Sequence, residues 1–113
     1  RFPYGVAVAD DLLLVADTAN NRLLGWQLPL AGQQPVPAEF VLGQPDFSGS
    51  GENRWQAVLP DTFCWPYGLA AMAGQASGRS VLAAVADSGN NRVMLWELAT
   101  EPAAPSAAAL PED

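Results

Sequence analysis

Val15-Ala16-Asp17-Thr18-Ala19-Asn20-Asn21-Arg22 is answered, 70 positions further on, by Val85-Ala86-Asp87-Ser88-Gly89-Asn90-Asn91-Arg92. In each copy an apolar run leads into the polar cluster, Leu12 to Ala16 in one and Val81 to Ala86 in the other. A second run leads away, Leu23 to Leu28 and Val93 to Leu98. An Asp-Thr/Ser-x-Asn-Asn cluster between two β-prone runs reads as a hairpin turn. Asn and Asp tolerate the left-handed region and hydrogen-bond their own backbone, and Gly89 is free to adopt positive φ. The match extends upstream, where Phe2-Pro3-Tyr4-Gly5-Val6-Ala7 corresponds to Trp65-Pro66-Tyr67-Gly68-Leu69-Ala70 at an offset of 63. The two offsets differ by seven residues, which places an insertion in the Gly/Ser-bearing stretch from Ala73 to Ser80. Repeats separated by loop insertions indicate a repeat architecture.

Working outward from the turns, the pattern predicts strands near 6–9, 12–17, 22–28 and 39–43, then 68–72, 81–87 and 92–98. Phe2 to Gly5 reads as a turn entry, punctuated by Pro3 and Gly5. Leu12 to Ala16 is continuously apolar, as expected of a strand buried on both faces. Period two puts Arg22, Leu24, Trp26 and Leu28 on one face of the third strand. Pro29 to Pro37 and Ser48 to Asn53 read as exposed connections. Trp55 and Leu59, spaced i, i+4, predict one helical turn that Pro60 ends. Beyond Leu98 the Ala/Pro-rich tail repeats nothing of Phe40-Val41-Leu42-Gly43, so the second unit is expected to lack its outer strand.

Composition excludes several kinds of chemistry. The net charge is −7, with five Lys and Arg in all against twelve Asp and Glu, so phosphate backbones are repelled and nucleic-acid binding is not expected. There is no His, which removes His-based acid/base catalysis, Ser-His and Cys-His nucleophiles and His-ligated zinc from these 113 residues. Cys64 is alone, so no internal disulfide forms and no compartment is signalled. No apolar run approaches the ~20 residues of a membrane-spanning helix, and no membrane partner is expected.

Pro-Tyr-Gly-Val-Ala-Val, then Val-Ala-Asp-Thr-x-Asn-Asn-Arg, then a strand ending in an aromatic residue (Trp26 and Trp96) resembles the NHL repeat. Val41-Leu42-Gly43-Gln44-Pro45-Asp46-Phe47 is similar to a motif between repeats in long-blade bacterial members of that family. The resemblance covers residues 2 to 98. It implies an all-β fold of β-propeller blades, each a four-stranded antiparallel sheet, in a ring that is commonly six-bladed. Residues 1–47 are then a first blade, 48–63 an inter-blade loop, 64–98 a second blade without an evident outer strand, and 99–113 a tail. Two blades are fewer than the three or so a stacked repeat needs. The expectation is therefore an excerpt of a longer protein, a processed product, or a protomer completed by association, with a homotrimer supplying six blades.

Asp17, Asn20, Asn21 and Arg22, with Asp87, Asn90, Asn91 and Arg92, are the conspicuous polar residues. A turn repeated in every blade is no unique catalytic centre, so they are assigned a structural role, each Asp accepting from its own turn and pairing with its Arg. Trp26 and Trp96 are expected to pack between neighbouring blades. Trp55, on the inter-blade loop, is the candidate interaction residue. Cys64 reads as a small buried hydrophobe. Asp10, Asp11, Asp46 and Asp61 lie in predicted loops without EF-hand spacing; Ca²⁺ is considered only for a complete propeller, and no catalytic, cofactor or metal residue is assigned. The reading this favours is a non-catalytic scaffold that binds a protein partner or itself. The alternative implied by the resemblance is part of a metal-dependent lyase or lactone hydrolase whose catalytic residues lie in other blades.

Overall fold

The computed structural model describes residues 3–30, 32, 36–74 and 79–100. The tail beyond position 100, positions 75–78 of the insertion and part of the 29–37 connection lie outside the described residues. The fold is all-β. Strands β1 (Pro3–Ala9), β2 (Leu12–Asp17), β3 (Arg22–Gln27) and β4 (Phe40–Leu42) form one antiparallel sheet in chain order. Strands β5 (Pro66–Ala73), β6 (Ser80–Asp87) and β7 (Arg92–Ala99) form a second, which has three strands among the described residues.

Both sheets use the same register. Asp17 pairs with Arg22 across the β2–β3 turn, and Asp87 pairs with Arg92 across the β6–β7 turn. Ala9 opposite Leu12 is matched by Met72 opposite Leu82, so the extra residues of the second unit fall between Met72 and Leu82. Pro-Tyr-Gly is not a turn entry, as its sequence suggested, but the first part of the first strand of each sheet, β1 and β5. Pro3 pairs with Asp17 and Pro66 with Asp87, each followed by a β-bulge. A strand at the sheet edge tolerates a residue without an N–H, and the bulge absorbs the irregularity.

The core lies between the sheets. Leu12 and Leu14 of β2 pack with Val81 and Ala83 of β6, and Ala16 and Leu23 pack with Phe63 and Val85. All eight are buried. Alternate residues of a strand point to opposite faces, so Leu13 and Val15 lie on the other side and are only partly covered. The expectation that Leu12 to Ala16 is buried on both faces is therefore corrected: the partner sheet covers one. The sheets approach most closely where β1 meets β5. A Cβ on Gly5 would stand 2.5 Å from the Tyr67 carbonyl oxygen and 3.0 Å from the Leu69 Cβ, so a side chain there would push them apart. Trp96 packs between the sheets, its ring 5.3 Å from that of Phe63. Trp26 does not: period two turns it to the uncovered face, where its Nε1 donates to the Val36 carbonyl at 2.8 Å.

Candidate functional site

The two repeated turns are built alike. Each Asp is followed by one turn of 3-10 helix, Thr18–Asn20 or Ser88–Asn90, and each turn ends in an asparagine in the left-handed region. Asn21 sits at φ 55, ψ 47 and Asn91 at φ 56, ψ 45. Gly89, expected at positive φ, is not the left-handed residue. Its lack of a Cβ matters for a close approach instead, since a Cβ there would stand 2.6 Å from the Cys64 carbonyl oxygen. Arg22 Nε donates to Asp17 Oδ2 at 2.8 Å, and Arg92 Nε donates to Asp87 Oδ2 at 2.7 Å. Asn20 and Asn90 donate to the same carboxylates. Asp87 also accepts the Cys64 N–H at 2.8 Å. Each carboxylate thus gathers its own turn.

Beyond that common frame the turns hold the segment between the sheets. Asn21 is buried; its Oδ1 accepts the Trp65 N–H at 2.7 Å and its Nδ2 donates to the Ser50 carbonyl at 2.9 Å. Gln44, also buried, donates to the carbonyls of Asn21 and Gly51. Arg22 reaches the Phe47 carbonyl, while Arg92 donates to the carbonyls of Leu59 at 2.7 Å and Thr62 at 3.0 Å. Asn53 exchanges two amide hydrogen bonds with Asn90, at 3.0 and 2.8 Å, and its Oδ1 accepts from Thr62 Oγ1 at 2.9 Å. On the outside, Arg54 pairs with Asp61 at 2.7 Å.

The loop held in this way has an unusual backbone. Asn53, Arg54 and Trp55 are consecutive non-glycine residues at positive φ, 49°, 55° and 61°. The left-handed region costs an L-residue roughly 1–2 kcal/mol, so such a run persists only where surrounding bonds impose it. The helical turn predicted through Trp55 and Leu59 is replaced by this left-handed turn within Glu52–Trp55, closed by the Arg54 N–H donating to the Gly51 carbonyl and the Gln56 N–H to the Asn53 carbonyl, each at 2.9 Å. Its result is to present Trp55 at 80% exposure, with the indole resting on Gly51, where a Cβ would meet Cδ1 at 2.6 Å. The same loop exposes Phe47, Val58 and Leu59.

A second aromatic group escaped the sequence reading. Trp65 stacks on Tyr67 at 6.4 Å, and Tyr67 meets Tyr4 of the neighbouring sheet at 4.6 Å. Trp65 Nε1 donates to Glu52 Oε2 at 2.9 Å, tying this row to the loop. The repeat of Pro-Tyr-Gly was the available signal, because equivalent positions on stacked sheets bring their side chains together.

Ionisable groups do not converge. Among the described residues no three of His, Cys, Asp and Glu are grouped as metal ligands would be. Asp11 pairs with Arg79 at 2.9 Å and Asp61 with Arg54. Asp46 accepts from the Ser48 hydroxyl and from the N–H groups of Ser48 and Gly49; these bonds, the hydroxyl's foremost, hold its pKa below the ordinary carboxylate value. Cys64 is half-buried, and desolvation, then the charges of Glu52 and Asp87, push its thiol pKa up. A thiol so placed is a poor nucleophile at neutral pH. No described helix is long and apolar enough to cross a membrane. No protein-family model matches the chain, and no curated protein matches it.

Proposed function

We propose that the two sheets are consecutive blades of an NHL-type β-propeller, and that the chain serves as a binding scaffold that offers Trp55 to a protein partner. The observation that carries this reading is the run of left-handed residues at 53–55, held by Asn53 beneath an indole that faces solvent. Buried polar bonds fix the backbone, and the side chain they present contributes little to the chain's own core. Tryptophan supplies a large, rigid contact area, and ordering it before association removes an entropic cost of binding. The polar residues of the repeated turns are engaged in holding the loop, which leaves an apolar tip for recognition. The blade assignment rests on the repeated register and the stacking of the two sheets, together with the quoted resemblance.

The test is a photo-crosslinking amino acid at position 55, with a control at the exposed Glu39, in the cells that make the protein. The expected result is a discrete adduct from position 55 alone, suppressed by excess unmodified protein but not by excess Trp55→Ala protein. Equal adducts from both positions, or equal competition by the Trp55→Ala protein, would reject the reading.

A further inference from the structure

The interface between the two sheets has one half of its pattern left over at each end of the molecule. The face of the first sheet that carries Leu14, Ala16 and Leu23 is covered by the second sheet. By the repeat, those residues correspond to Ala84, Ala86 and Val93 on the uncovered face of the second sheet. The contrast is sharp: Leu23 is 0% exposed and Val93 66%. In the same way, Ala71, Ala83 and Val85 face inward on the second sheet, and their counterparts Val8, Leu13 and Val15 lie on the uncovered face of the first.

We propose that the uncovered face of the second sheet receives the uncovered face of the first sheet of another copy of this chain, head to tail, in the arrangement the two sheets already adopt within one copy. Two observations argue for this occupant. The first is volume. Inside the molecule the large Leu14 packs in one cluster with the small Ala83; at the outer faces the pair becomes the small Ala84 and the large Leu13. Ala84, with Ala70, Ala71, Met72 and Leu82, lines a shallow cavity of about 110 Å³ beside the uncovered face, the space a larger incoming side chain fills. The second is polar. Thr18 donates across the internal interface to the Pro66 carbonyl at 2.5 Å, and Asn21 accepts from the Trp65 N–H. Among the described residues their counterparts make no such bond between sheets. Ser88 donates to the Ala86 carbonyl of its own strand at 3.4 Å, and Asn91 holds the Asn21 backbone geometry with its side chain exposed. The carbonyl that would serve Ser88 belongs to Pro3, the counterpart of Pro66. Charge opposes the contact in part: Asp11 stands where Val81 does in the repeat, and its exposed pair with Arg79 of its own chain must be desolvated there.

This inference is independent of the loop carrying Trp55. A head-to-tail contact joins two different faces, so repetition closes a ring or extends a filament. Each copy carries a charge of −7, so association strengthens as salt screens the repulsion.

Light scattering on the 113-residue chain across about a hundredfold dilution provides the test. The wild-type protein is expected to show a mass at least twice that of the monomer, rising with salt. Val93→Glu and Val8→Glu each spoil one face, and each alone is expected to give a monomer that still melts cooperatively. Mixed, they are expected to form a one-to-one dimer and nothing larger, because each retains the face the other needs. Leu95→Glu and Val6→Glu, at positions similarly exposed, replace either variant that fails to fold. A wild-type monomer at every concentration overturns the proposal. So does a mixture that stays monomeric, or a pair of variants that assemble like the wild type.

Discussion

The turn at Asp17–Arg22 and the turn at Asp87–Arg92 share a register, a left-handed asparagine and an Asp–Arg bond, yet their surroundings are opposite. In the first, Thr18 and Asn21 are buried and bonded to the second sheet; in the second, Ser88 and Asn91 are exposed. Conformation in the turn is therefore a local property, written into Asp, Asn and Arg. Burial is conferred by the neighbour. The same residue type at the same backbone angles carries a different energetic role depending on which unit it occupies.

The core positions should show this most strongly. In the assembly-blocked Val8→Glu protein, Leu23→Ala is expected to destabilise the monomer by about 2–5 kcal/mol, the range for emptying a buried leucine site, whereas Val93→Ala should stay within about 0.5 kcal/mol. Urea unfolding monitored by tryptophan fluorescence measures both, and equal losses at the two sites would break the contrast. The carboxylates should behave alike, because both hold their own turns. Asp87→Ala leaves Arg92 Nε and the Cys64 N–H without their acceptor and is expected to cost about 2–4 kcal/mol in the same assay, with Asp17→Ala comparable.

Glycine substitutions separate backbone from side chain. Glycine keeps the left-handed geometry, so Asn21→Gly removes only the bonds to Trp65 and Ser50 and should cost about 1–3 kcal/mol. Asn91→Gly should be close to neutral, and thermal melts of the two proteins side by side check the difference. The smallest effect lies at Asp46, in the loop between the turns. Its folded pKa lies below the ordinary carboxylate value, so the stability it contributes is present above its unfolded pKa and lost as pH falls through the folded one. Ser48→Ala is expected to raise the Asp46 pKa toward that ordinary value, read by carboxyl NMR titration.

Much of the local fold was legible in the chain. The Asp-x-x-Asn-Asn-Arg repeat located both hairpins, and the offsets of 63 and 70 located the insertion that the register places between Met72 and Leu82. What stayed hidden depended on partners distant in sequence. Nothing near Leu13 announces that it faces away from the second sheet while Leu14 faces it. Trp26 and Trp96 occupy equivalent strand positions, and only the location of the neighbouring sheet distinguishes them. The loop was least readable. Trp55 and Leu59 have helical spacing, but Asn53 bonds to Asn90, 37 residues away, and the backbone of 53–55 is left-handed instead. Local pattern reveals a turn when the turn satisfies its own polar groups, and conceals it when the partner lies in another unit.

The chain order of the strands also shapes how the molecule can form. Every paired strand in both sheets is the sequence neighbour of the one beside it. Contacts so close along the chain favour rapid folding, and a hairpin closes in roughly 1–10 μs. Each sheet can then be assembled without waiting for the other. The slower event is the meeting of the two sheets, when Asn21 must find the Trp65 N–H and Asn53 must find Asn90. The long segment from Gly43 to Thr62 bonds to both turns, through Gln44 and Asn21 and through Asn53 and Asn90, so it is expected to order after them.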